Sequence, residues 1–183
     1  MTASTVSSAL VTNRRASPPT YNDYAKAGQN KVSIISGTLE VATTSIDEVG
    51  DVIILADVRP TDRVMAINLA CDDLDTHATA TLAFDVGLYK NVTAAGTGAT
   101  VVDADAYASA VLHDSFIKTI ATGAFSHDCA FEARDITKIG QDVMTDGGET
   151  SANDLRQIGL TVTATAATAA AGTLSFRIMI VHE

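Results

Sequence analysis

Residues 49–90 read VGDVIILADVRPTDRVMAINLACDDLDTHATATLAFDVGLYK and carry the clearest structural pattern in the chain. Three apolar segments are separated by the turn-forming sequences RPTD and CDDLDTH, which is typical of three consecutive β-strands. Residues 51–57 are almost all apolar, as in a strand that is covered on both faces. In the third segment the apolar side chains occupy every second position: Leu82, Phe84, Val86 and Leu88. We therefore expect three neighbouring strands of one sheet, with these four side chains in the core.

The same period of two occurs near both ends of the folded part. Residues 31–43 are rich in β-branched side chains, and residues 158–163 and 174–180 alternate so regularly that they predict a closing hairpin. Weaker candidate strands lie at 117–121 and 129–133. Residues 103–118 have apolar side chains at helical spacing and predict a short helix. About eight strands, one short helix and no βαβ alternation favour an all-β fold, an antiparallel β-sandwich of jelly-roll type.

The first 30 residues of this 183-residue chain differ in composition from the rest. Residues 1–30 are rich in Ser, Thr and Ala, contain Pro18 and Pro19, and show neither helical nor strand periodicity. The sequence therefore predicts an extended N-terminal arm over residues 1–30. The length suits one folded domain, which we expect over residues 31–183.

The arm is basic, whereas the remainder of the chain is acidic. Residues 1–31 hold four basic residues and one Asp, a net charge of +3, so the total of −10 leaves −13 for the rest. This division favours contact between the arm and an acidic neighbour, such as a second copy of the chain; a solvated tail is the alternative. The residues that we expect to bind a partner are Arg14, Arg15, Pro18, Pro19, Tyr21, Tyr24 and Lys26.

Bulk properties argue against several classes of protein. The net charge of −10 does not suit a general nucleic-acid-binding protein, which needs basic surface against phosphates. The sequence has neither the pattern of a secretory signal nor an apolar stretch long enough to span a membrane, so we expect synthesis in a cytoplasm and no membrane partner. Cys71 and Cys129 could pair, although two buried thiols are the commoner arrangement.

The sequence offers only weak candidates for a catalytic or metal-binding site. His77 follows Asp72, Asp73 and Asp75 and could help to bind a metal ion, but turn formation explains the acidic run without one. The sequence His-Asp-Cys at 127–129 could bring a base and a nucleophile together, although a structural role is favoured. The acidic residues of loop 142–154 could bind calcium, but they do not match the EF-hand spacing. We expect no cofactor, no catalytic residue and no enzymatic activity.

Two blocks of the sequence resemble structural proteins of tailed bacteriophages. The first, residues 64–88, has ACDDLDTHATATLAFDVGL at its centre, in which a D-x-L-D turn leads to a strand ending in D-V-G-L. The second is MTDGGETSANDLRQIGLTVTATAATAAAGTLSFRIMIV, residues 144–181. Together the blocks cover about a third of the chain. They do not extend to the arm or to the predicted helix.

This resemblance implies a virion protein at the capsid surface, of the capsid decoration or cement type. The partners that it implies are the major capsid protein and further copies of the chain, most simply a trimer around a symmetry axis. A carbohydrate- or receptor-binding module of a head fibre or tail is the alternative. That alternative usually requires exposed aromatic side chains, and the chain has only nine Phe and Tyr residues and no Trp.

Overall fold

The computed structural model describes residues 5–8, 32–92, 98–112, 127–128 and 155–182. Within these ranges the chain forms nine strands and one 3-10 turn at Thr43–Ser45. In chain order the strands are β1 (Thr5–Ser7), β2 (Val32–Val41), β3 (Val52–Val58), β4 (Asp62–Cys71), β5 (Ala83–Lys90), β6 (Thr100–Leu112), β7 (His127–Asp128), β8 (Arg156–Ala164) and β9 (Gly172–His182).

The strands form two sheets. The five-stranded sheet has the order β1-β3-β8-β5-β6, and the four-stranded sheet has the order β2-β9-β4-β7. One continuous apolar core takes side chains from both sheets, such as Ile53 and Leu160 from the first and Ile67 and Ile178 from the second. The predicted all-β sandwich is therefore confirmed, while its jelly-roll connectivity remains a prediction.

Alternation along the strands places this core where the sequence predicts it. Leu82, Phe84, Val86 and Leu88 are each at most 1% exposed and belong to the core. β3 is buried along all seven residues, which confirms a strand covered on both faces. Its inner face contributes Ile53, and its outer face contributes Ile54 to a smaller apolar cluster with Tyr89 and Val92.

The prediction that residues 49–90 form three neighbouring strands of one sheet is wrong. β3 and β5 lie on either side of β8 in the five-stranded sheet, whereas β4 pairs with β9 in the four-stranded sheet. The RPTD turn takes the chain from the five-stranded sheet to the four-stranded sheet. Within this turn the Asp62 carboxylate accepts a hydrogen bond from the Arg59 N–H at 2.9 Å. Alternation determines which face of a strand is buried, but two sheets that share one core satisfy the same pattern.

The predicted closing hairpin is wrong for the same reason. Both strands exist, but β8 belongs to the five-stranded sheet and β9 to the four-stranded sheet, so they do not pair. Leu160 of β8 and Ile178 of β9 both lie in the common core. Residues 165–171 connect the two sheets rather than turning one strand back on its neighbour.

The predicted helix at 103–118 is wrong over its described part, because residues 103–112 belong to β6, and 113–118 lie outside the described residues. β6 pairs irregularly with β5: Val86 lies opposite Ala108, while Leu88 lies opposite Asp103. Five positions along β6 therefore match two along β5. This wide bulge buries the consecutive residues 106–108 and so interrupts the strand period of two. The interrupted pattern of apolar residues resembles helical spacing in the sequence.

Candidate interaction surfaces

The seven residues predicted to bind a partner, from Arg14 to Lys26, lie outside the described residues, and their role stays a prediction. The same is true of Cys129, of loop 142–154 and of the candidate strands at 117–121 and 129–133. Cys71 is buried in β4. The surfaces described below therefore come from the sandwich and from residues 5–8 of the predicted arm.

Residues 5–8 add a short strand to the edge of the five-stranded sheet. β1 runs parallel to β3, with Thr5 opposite Val52, Val6 opposite Ile53 and Ser7 opposite Ile54. Ser8 continues the contact, because its N–H donates to the Ile54 carbonyl oxygen at 2.6 Å and its hydroxyl donates to the carbonyl oxygen of the next residue, Leu55.

The CDDLDTH turn is built around one buried carboxylate, that of Asp75, which is 2% exposed. Its Oδ2 accepts hydrogen bonds from the N–H groups of Thr81 at 2.8 Å, Leu82 at 3.2 Å and Ala167 at 3.0 Å. Its Oδ1 accepts one from the Thr168 N–H at 2.9 Å. Asp75 thus joins residues 72–82 to the connection 165–171, and we call this arrangement the Asp75 junction.

These donors determine the charge state of the junction. Burial alone would raise the pKa of the Asp75 carboxyl, but the backbone N–H groups of Thr168, Thr81, Ala167 and Leu82 outweigh burial and hold the pKa well below its usual value. The carboxylate is therefore ionised at neutral pH. The dipoles of these four main-chain N–H groups stabilise its charge.

The geometry does not suit the metal alternative for this turn. The lone pairs of Asp75 face N–H donors, which would repel a cation, so this carboxylate is not available as a ligand. His77 is exposed, and its Nδ1 accepts a hydrogen bond from the Thr79 N–H at 3.1 Å. Among the described residues, no group of three or more His, Cys, Asp and Glu side chains is placed to hold a metal ion. The acidic run builds the turn.

An apolar patch lies on the outer face of the four-stranded sheet. Val32 and Ile34 of β2 are 60% and 55% exposed. Their register partners on β9 are Val181 and Met179, which are half-buried. These four side chains lie on one face, since alternate residues of both strands point to the core, and we call them the β2–β9 patch.

Polar side chains bound this patch further along the same face. Arg177, two residues from Met179 on β9, donates a hydrogen bond to Asn68 Oδ1 at 3.1 Å. Beyond it the Thr173 hydroxyl donates to Glu40 Oε1 at 2.9 Å. An apolar centre with a polar border is the usual composition of a protein–protein contact surface. Sequence alternation alone did not identify this patch, although the adjacent pair Ile34-Ile35 required one isoleucine to face outward.

The outer face of the five-stranded sheet is filled by the protein's own side chains. The buried Tyr89 hydroxyl is hydrogen-bonded to the Thr161 hydroxyl, and a Cβ on the intervening Gly159 would lie 3.0 Å from the Tyr89 ring. Burial raises the pKa of Tyr89 to about 12, and the charges of Asp85 and Asp103 add to the increase, while the hydrogen bond with Thr161 opposes it.

Gly87, the register partner of Gly159, allows β6 to cross close to β5. A Cβ on Gly87 would overlap the carbonyl oxygens of Asp103 and Ala104 in the β6 bulge. The glycine of the D-V-G-L sequence is therefore needed for close backbone approach.

Within the residues that the structure describes, no helix is long and apolar enough to cross a bilayer.

Comparison with solved structures places this fold among chains of phage capsids. A chain from the capsid of Ralstonia phage GP4 superposes with a TM-score of 0.59 at 19% sequence identity, covering 97% of each chain. A chain of the cyanophage Pam1 capsid asymmetric unit superposes with a TM-score of 0.55 at 18% identity, covering 92% of this chain and 96% of that one. No protein-family model and no curated protein matches the sequence. At these identities the likeness establishes a shared fold.

Proposed function

We propose that this chain is a structural virion protein, a capsid decoration or cement protein that binds the outer surface of the head shell. The observation that carries the proposal is the likeness in fold to the chain from the Ralstonia phage GP4 capsid, which extends over 97% of both chains. A match of this extent spans nearly the whole chain rather than a single motif. The shell is built from the major capsid protein, so a protein bound to the shell has the major capsid protein as its partner.

The β2–β9 patch supports the proposal by offering a contact surface of suitable composition. Ile34 and Val32 are exposed on a rigid strand rather than on a loop, so ordering them on binding costs little conformational entropy. The patch is small, which suits a protein that binds at many equivalent positions and gains strength from multiple contacts. We assign the patch to the interface with the shell.

The distribution of charge supports contacts between copies. The first 31 residues carry +3 and the remainder carries −13, so the arm of one copy is attracted to the body of the next. Copies held side by side on a shell would be close enough for this attraction to act within a Debye length of about 8 Å. A homo-oligomer around a symmetry axis, most simply a trimer, follows from this arrangement.

The described aromatic side chains do not favour the alternative of a carbohydrate-binding module. Phe84, Tyr89, Tyr107 and Phe176 are each buried, so among the described residues no aromatic ring is available to stack on a sugar. The described residues also contain no group of three or more His, Cys, Asp and Glu side chains that could hold a metal ion. We therefore favour a protein-binding role over a carbohydrate-binding one.

Co-sedimentation tests the proposed function directly. The purified full-length chain is mixed with empty shells, before and after expansion, that are assembled from the major capsid protein encoded with it. We expect saturable binding at a fixed number of copies per shell to at least one of the two forms. If the chain stays in the supernatant with both forms at micromolar concentration, the shell is not its partner.

A further inference from the structure

The edge of β3 is the part of the fold that most needs a partner strand. All seven residues of β3 are buried, and four consecutive ones, Ile53 to Ala56, have no measurable exposure. A long apolar edge without a cover is a site of aggregation, because its N–H and C=O groups are ready to pair with any extended chain. The short strand β1 covers this edge.

β1 joins the sheet by pairing with the edge of β3. It pairs with β3 over three residues, and it is the one parallel strand pair within the described ranges. Val6 packs partly buried against the main core, and Ser8 is 1% exposed and hydrogen-bonded to Ile54 and Leu55 through its N–H and hydroxyl. These contacts specify where residues 5–8 sit. They would be identical if the residues came from another copy.

The chain is long enough to bring residues 5–8 to a neighbouring copy. Twenty-three residues, 9–31, separate Ser8 from the start of β2. An extended chain of that length can reach about 75 Å. A folded domain of about 150 residues is roughly 40 Å across, so the connection can pass over the whole width of one domain. Arg14, Arg15 and Lys26 lie in this connection, and their charge is opposite in sign to the net charge of −13 carried by the chain after residue 31.

We propose that β1 is exchanged between copies: residues 5–8 of one chain fill the β3 edge of a second chain. The second copy then supplies Val6 to the core of its partner and Ser8 to the carbonyl oxygens of its Ile54 and Leu55. The exchange deepens the proposed function, since it is a contact by which adjacent copies hold one another, but it belongs to the homo-oligomer and does not depend on the shell. A reciprocal or cyclic exchange leaves no β3 edge uncovered.

Two chains, each with one introduced cysteine, test the exchange in the absence of any shell. Thr5 and Val52 are register partners, and the Cα atoms of paired residues in neighbouring strands are about 4.8 Å apart, within disulfide range. One tagged chain carries Thr5→Cys and an untagged chain carries Val52→Cys, both with Cys129→Ser, while the buried Cys71 is kept in both. The two chains are co-expressed, purified as full-length protein and oxidised, and the products are separated under denaturing, non-reducing conditions.

We expect a mixed disulfide of twice the chain mass that contains one tagged and one untagged chain, and no such product from either chain expressed alone. A double variant, Thr5→Cys with Val52→Cys, shows that the two cysteines can pair. If that variant forms its bond only within one chain and the mixed disulfide is absent, β1 stays in its own chain and the exchange is wrong. The register pair Ser7→Cys and Ile54→Cys repeats the experiment should Val52→Cys fail to fold. Loss of shell binding with an intact mixed disulfide would overturn the proposed function but not the exchange.

Discussion

The Asp75 carboxylate accepts a hydrogen bond from the main-chain N–H of Thr168 at 2.9 Å, across 93 positions of sequence. Together with the N–H groups of Thr81, Leu82 and Ala167, this contact fixes the turn after β4 to the connection between β8 and β9. One ionised side chain thereby holds together two loops that pass between the sheets.

Asp75→Asn should lower the free energy of unfolding by about 2–4 kcal/mol, since the amide group turns an N–H donor toward buried main-chain donors. Urea unfolding followed by circular dichroism measures the change. Asp47→Asn removes the same charge from an exposed turn and should change stability by less than about 0.5 kcal/mol. Equal effects of the two substitutions would mean that the Asp75 junction adds nothing to stability.

The difference in stability between the wild-type chain and Asp75→Asn should depend on pH. The native pKa of Asp75 is lowered, so its stabilising effect is complete above the unfolded value of 3.8 and is lost as pH falls from there toward the native value. Between pH 7 and pH 3 the difference between the two proteins should shrink by about 1 kcal/mol, at 1.36 kcal/mol per pH unit below the unfolded pKa. Because the other carboxyl groups are the same in both proteins, their contributions to the pH dependence cancel in the difference. A difference that stays constant over this range would show that Asp75 is not the ionised acceptor.

Gly87→Ala should destabilise the fold by about 3 kcal/mol or more, because the new methyl group would overlap the main-chain oxygens of Asp103 and Ala104. The midpoint of thermal unfolding reports the effect. Gly37→Ala, in the middle of the edge strand β2, is the matched control and should change stability by less than about 1 kcal/mol. Tolerance of alanine at Gly87 would contradict the close crossing of β6 over β5.

Ile34→Ser should weaken binding to the shell by about five- to tenfold, the cost of removing an apolar side chain from the centre of a contact. Ile34 is 55% exposed, so the free energy of unfolding should change by about 1 kcal/mol or less. Val49→Ser removes an apolar side chain that is 65% exposed but lies outside the β2–β9 patch, and it should leave binding unchanged. Equal losses of binding from both variants would mean that the patch is not the interface.

Local pattern predicted the strands better than it predicted their partners. The alternation from Leu82 to Leu88 identified both the strand and its buried face, because one face of a sandwich strand must be apolar along its length. The assignment of β3, β4 and β5 to one sheet failed because sheet membership depends on contacts far apart in sequence. The central neighbour of β3 and β5 is β8, about 100 residues beyond β3.

The functional surfaces were predictable only in part. Asp75 was expected to form a turn, but its partners at 167 and 168 are backbone N–H groups in an Ala- and Thr-rich segment. Every residue except proline has such a donor, so the sequence does not indicate which ones bind Asp75. The wide bulge of β6 likewise depends on Gly87 in another strand, so its local spacing indicated a helix instead. The resemblance to phage structural proteins rested on these same scaffold residues, which explains why it agreed with the fold more fully than with any binding residue.

The most direct measurement of the central claim is a cryo-EM difference map between expanded shells with and without the purified chain. We expect added density on the outer surface of the shell at positions fixed by its symmetry, into which the two-sheet sandwich fits with the β2–β9 patch facing the major capsid protein. Shells that show no added density at saturating concentration, or density confined to a tail or fibre, would contradict it.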